Sequence, residues 1–228
     1  MTTIVDATPT APSLDGVRPR TKLRSALQWI AWSLPAFPVA VLAHELGHLL
    51  WFKVFGFGGV TLHFASVSYA KQDEFWQLAR HGRLAEAAAV VPLSEIGLAG
   101  AMGIAVTYAT LIGAAWLTHK RHAHPFVVAV GLAAALRFII GIQILPRLLT
   151  TSDQMPSGTD EGLVSAVTGI PEALLWGIGF AIVVSSWYFI IRGLPKGSRL
   201  AQFGLTVVGG MLGAVAYVGW IGPRLMPE

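Results

Sequence analysis

Long apolar runs alternate along this chain with short polar and charged connections. A run from Ser25 to about Phe55 is followed by others near 91–117, 125–147, 171–191 and 200–222. Each reaches the roughly 20 residues needed to cross the hydrocarbon core of a bilayer. Ile96 to Thr118 and Leu200 to Pro223 contain no charged residue, whereas the third run is interrupted by Arg137. The pattern predicts an all-α polytopic membrane protein with about five transmembrane helices. Pro35 and Pro38, in the first half of the first run, are expected to kink or break its helix.

Between the first two runs the periodicity changes. Gly56 to Ala70 is a glycine-rich turn followed by partly alternating apolar and small polar residues, which predicts a short strand-like or hairpin segment associated with the membrane. Non-helical backbone survives at membrane depth only where it is buried in protein or lines a wet cavity. The segment is therefore expected beside a functional site or at the interface, with an edge able to accept a peptide as an added strand. Gln72 to Ala88 mixes Trp76, Leu78 and Leu84 with Arg80, His81, Arg83 and Glu86 and reads as one interfacial amphipathic helix. Residues 1–24 form a polar tail ending in Arg18, Arg20, Lys22 and Arg24, so 25–223 is left as a single transmembrane domain. The first run lacks a short apolar core with a small-residue cleavage site and is read as a spanning helix, not a removable signal.

Composition agrees: 54% of residues are hydrophobic and 12% charged, with mean hydropathy +0.62, against about 25% charged in a soluble domain. The net charge of +4 arises from cations next to apolar runs, which points to the lipid bilayer and not to nucleic acid. With five spans and the N-terminus inside, the flanking lysines and arginines mildly favour that orientation. There is no cysteine, so any metal must be held by histidine and carboxylate.

The chemistry concentrates in His44-Glu45-Leu46-Gly47-His48, late in the first run. Residues four apart on a helix share a face about 6 Å along the axis, so both imidazoles can reach one metal. Glu45, turned about 100° away, is placed to act on water beside that metal, as the general base does in His-Glu-x-x-His metalloproteases. Two histidines and a glutamate are costly in a membrane helix and normally mark a functional site. A catalytic zinc usually takes three protein ligands. Candidates for the third are Asp153, Asp160, Glu161, Glu95 and His63; Asp160 begins a segment that looks like a helix start dipping toward the membrane before Pro171.

Other features have plainer readings. His119, His122 and His124 beside Lys120 and Arg121 fit a basic interhelical loop, and Arg137 a partner of Glu95 or of a carbonyl. Gly209 and Gly213 are a small-xxx-small pair suited to packing within the chain. Trp29, Trp51, Trp116 and Trp220 fall near span ends, where indoles serve as anchors.

Taken together, the chain resembles the site-2 protease family of intramembrane zinc metalloproteases, especially small bacterial members without a PDZ domain. The resemblance covers roughly residues 26–192. It rests on His44–His48 late in a membrane helix, the strand-like segment after it, two intervening spans, and Thr159-Asp160-Glu161-Gly162 before another apolar helix. It implies a multi-pass protein of the bacterial cytoplasmic membrane in which Zn2+ is held by His44, His48 and Asp160 and Glu45 is the catalytic base. Many members carry the third ligand in Leu-Asp-Gly with an asparagine nearby, whereas this chain contains no asparagine. Oxyanion stabilisation would then fall to zinc or to another donor.

The function expected is hydrolysis of peptide bonds in membrane-embedded or membrane-tethered proteins or transmembrane peptides. The alternative is a non-proteolytic zinc-binding or partner-binding membrane protein.

Overall fold

The computed structural model describes residues 19–120, 123–136, 142 and 159–226. Most of the basic tail, Arg121, His122, Arg137, Asp153 and the second half of the third apolar run lie outside the described residues.

The first apolar run forms two helices, α1 (Pro19–Ser33) and α2 (Ala36–Val54), separated at Leu34-Pro35. Pro35 has no N–H to donate into the turn before it, which ends α1. Pro38 falls in the first turn of α2, where an N–H has no intrahelical partner anyway. Leu23–Val54 still reads as one span of 32 residues. The other long helices are α5 (Leu93–Lys120), α8 (Glu172–Gly193) and α9 (Arg199–Ala216), the last continuing through a π-helical turn, Tyr217–Ile221, into α10 (Gly222–Leu225). Among the described residues, four segments are therefore long and apolar enough to cross a membrane. The third run contributes the 10-residue helix α6 (Pro125–Ala134) before leaving the described residues.

The glycine-rich segment is a small antiparallel hairpin, β1 (Thr61–Leu62) and β2 (Val67–Ser68), with Thr61 opposite Ser68 and Leu62 opposite Val67. Only these four residues pair as strands; left-handed Gly56 and Gly59 turn the chain on either side of Phe57-Gly58. The expected single amphipathic helix is instead two, α3 (Gln72–Arg80) and α4 (Leu84–Val90). Gly82, at φ 75°, makes the break. Its N–H bonds to Ala79 O, and that of Arg83 to Leu78 O, both at 3.0 Å, the pairing that closes a helix on a left-handed glycine.

Exposed large apolar side chains cover the outside, among them Leu50, Val54, Ile112, Trp116 and Val215. Such an exterior suits lipid and not water, and helices in lipid associate through close backbone approach more than through expulsion of water. Gly47 abuts Met102 O and Gly103 abuts both metal-motif imidazoles, which lets α2 and α5 cross in direct contact. Gly97 and Gly100 likewise admit α7 (Asp160–Thr168). Gly209 and Gly213 lie against Ile30 and Leu34, so this pair closes α9 onto α1 within the chain.

Candidate metal centre

α2 runs antiparallel to α5, and this crossing sets both histidines. His44 Nδ1 lies 2.9 Å from Gly103 O and 2.8 Å from Thr107 Oγ1, and His48 Nδ1 lies 2.9 Å from Ala99 O. A carbonyl only accepts, so each Nδ1 carries the proton and each Nε2 presents a lone pair. Thr107 donates its own hydroxyl hydrogen to Gly103 O at 3.0 Å, which leaves its oxygen to accept from His44.

The lone pairs converge. His44 Nε2 and His48 Nε2 are 3.0 Å apart, and Asp160 Oδ2 lies 3.2 Å from the first and 3.4 Å from the second. Three acceptors at this spacing repel one another unless a cation sits among them. The edges of a tetrahedral zinc site with bonds of about 2.0–2.1 Å are about 3.3–3.4 Å long, and the triangle's edges of 3.0, 3.2 and 3.4 Å are close to that size. Its donor set, two imidazoles and a carboxylate, is also one that zinc takes.

Asp160 is the first residue of α7, and its position is fixed by a cap. The Thr159 hydroxyl accepts from the Gly162 N–H at 3.1 Å and donates to Glu172 Oε1 at 3.1 Å; Trp176 Nε1 donates to the same oxygen at 3.3 Å. The start of α7 is thereby tied to the first turn of α8. Glu161, 1% exposed, lies outside the triangle. His63 Nε2 is 2.7 Å from Ser68 Oγ within the hairpin, and Glu95 also stands apart, while Asp153 is beyond the described residues. His119 packs edge-on against Phe189 and His124 against Trp32, so neither joins a metal group among the described residues.

Glu45 is buried. With His44, His48 and Asp160 it lines a cavity of about 1050 Å³ that extends past Ser66 and Val67 of the hairpin to Gln72, Asp73 and Trp76 of α3. The hairpin is held over this cavity from two sides. Phe52 and Phe57 pack against Tyr69, whose phenol burial pushes above its ordinary pKa and keeps neutral. At the tip, Tyr217 OH donates to Phe64 O at 2.7 Å. Sequence reasoning missed Ala99, Gly103, Thr107 and Glu172, and it named Thr159 as part of a motif without its capping role. The spacing of Gly97, Gly100 and Gly103 down one face of α5 was the available signal for the helix contact.

Comparison with protein-family models, curated proteins and solved structures found no match to this chain.

Proposed function

We propose that this protein is an intramembrane zinc metallopeptidase that hydrolyses peptide bonds in membrane-embedded or membrane-tethered substrates. The observation that carries the reading is a buried glutamate in the same cavity as two imidazole lone pairs and a carboxylate oxygen, all set to face one point. His44 Nε2, His48 Nε2 and Asp160 Oδ2 would hold the ion. Zinc in such a site supplies Lewis acidity, polarising a carbonyl and acidifying water.

The chain's own residues account for the rest. The Glu45 carboxylate takes a proton from the attacking water and returns it to the amide nitrogen that leaves. The carbonyls of Ala99 and Gly103 hold each histidine in the tautomer that leaves Nε2 unprotonated. A substrate helix has its peptide groups paired internally and must unwind before one can reach the site. The edge of β2, which borders the cavity at Val67, offers backbone groups to the unwound stretch.

Metal content and cleavage of a transmembrane peptide in proteoliposomes test this together. Wild type is expected to carry one zinc per chain; His44→Ala and Asp160→Ala should lose it, and Glu45→Gln should keep it while cleavage falls at least about 100-fold. Cleavage retained in Glu45→Gln would remove the peptidase reading, and zinc that is required while Glu45 is dispensable would favour a non-proteolytic zinc protein.

A further inference from the structure

The groove between α5 and α8, which shares no lining residue with the cavity at the metal centre, carries an inference independent of the peptidase reading. The two helices run parallel: Tyr108 faces Gly179, and Thr118 faces Gly193 so closely that a side chain there would collide with the Thr118 carbonyl. Their C-terminal ends therefore lie on one side of the molecule. Between them is a cavity of about 560 Å³ with almost wholly apolar walls, including Ile112, Ala115, Trp116, Ile178, Ala181 and Phe189. It opens to the lipid-facing exterior, where Ile112, Trp116, Ile178 and Phe189 are all exposed.

Length and charge identify an occupant. From Ile178 to Phe189 α8 rises about 16 Å, close to one leaflet's half of a hydrocarbon core of about 30 Å. The groove ends at His119, and the next turn of each helix carries a cation on the same face: Lys120 four residues after Trp116, and Arg192 three after Phe189. Both are exposed. Arg199 occupies the carbonyls at the end of α8, donating to Leu194 O and Arg192 O at 2.9 Å, while the Arg192 guanidinium lies over the Tyr188 ring and donates through Nη1 to the Tyr188 hydroxyl at 2.5 Å, which leaves its other N–H groups for a ligand. The described residues of 113–128 and 186–203 include no Asp or Glu to neutralise these cations. Basic pockets between membrane helices select anionic headgroups.

We propose that this groove seats an acyl chain of an anionic phospholipid whose phosphate is held by Lys120 and Arg192. Native mass spectrometry of the full chain in detergent with equimolar dioleoylphosphatidylglycerol and dioleoylphosphatidylcholine is the test. Wild type should retain phosphatidylglycerol about thirty-fold better, the factor two cations near a membrane surface supply. The preference should vanish in the double variant Lys120→Gln/Arg192→Gln, and retention of either lipid should fall in Ala181→Trp, which fills the groove from an exposed position. Equal retention of the two lipids by wild type would overturn the proposal. So would a phosphatidylglycerol preference that survives the double substitution, or one indifferent to Ala181→Trp, since the headgroup would then be bound without the groove.

Discussion

Thr107 shows how one hydroxyl can set the chemistry of a candidate metal ligand, His44, within a long apolar helix. It gives its hydrogen to Gly103 O in a buried bond and accepts from His44 Nδ1 in a partly buried one. Replacing it with valine keeps the shape and removes the acceptor, leaving the His44 N–H with the Gly103 carbonyl alone. Outer partners of metal-binding histidines typically contribute 10- to 100-fold in affinity. Thr107→Val is therefore expected to weaken zinc binding by that factor, measured by competition with a chelator of known affinity, while Thr107→Ser stays near wild type. An unchanged affinity in the valine variant would mean that the two backbone carbonyls orient the histidines unaided.

At the scale of elements, the apolar runs, the proline break, the hairpin and the His-Glu-x-x-His helix were all legible, because each is written in local periodicity or in residues with strong backbone preferences. What was not legible depends on rotation between elements. Asp160 and Glu161 are neighbours about 100° apart on one helix, and the chain alone cannot say which faces α2. The histidines' outer partners are mostly backbone carbonyls of α5, which leave no mark on side-chain pattern. The amphipathic stretch divides at Gly82 because a left-handed residue overrides apolar spacing that runs through it. The cap at Thr159 belongs to the same class, since its role depends on Glu172 arriving from another helix. Thr159→Ala should cost about 1 kcal/mol of stability and also weaken zinc binding, because the first turn of α7 carries Asp160. Thr159→Ser should restore both; loss of stability without loss of affinity would show that Asp160 is positioned by packing against Gly100 alone.

At the scale of the whole molecule, helix directions sort the charges by side. α8 runs parallel to α5 and α9 parallel to α1, with Gly209 beside Ile30 and Gly213 beside Leu34, while α2 and α5 are antiparallel. Arg24, Lys120, Arg192, Lys196 and Arg199 thus gather at one end, the end from which the basic tail enters α1. The hairpin, α3, α4, α10 and the cavity mouth lie at the other, where Lys53, Lys71, Arg80, Arg83 and Arg224 share the end with Asp73, Glu74, Glu86 and Glu95; Arg83 and Glu86 form an ion pair there that holds the Glu86 carboxyl below its ordinary pKa. Lysine and arginine near span ends favour the cytoplasmic side, and with Arg18, Arg20, Lys22 and Arg121 adjoining it in sequence the first end carries the larger number. The basic end should accordingly face the cytoplasm and the cavity mouth the opposite compartment. Because the chain has no cysteine, single cysteines can decide. Lys71→Cys and Lys196→Cys both replace exposed side chains at opposite ends. A membrane-impermeant maleimide added to intact cells is expected to label the first and spare the second until the membrane is opened. The opposite pattern would place the cavity mouth in the cytoplasm, and the anionic leaflet would then be the one facing the hairpin, where interleaved carboxylates offer its headgroups no comparable attraction.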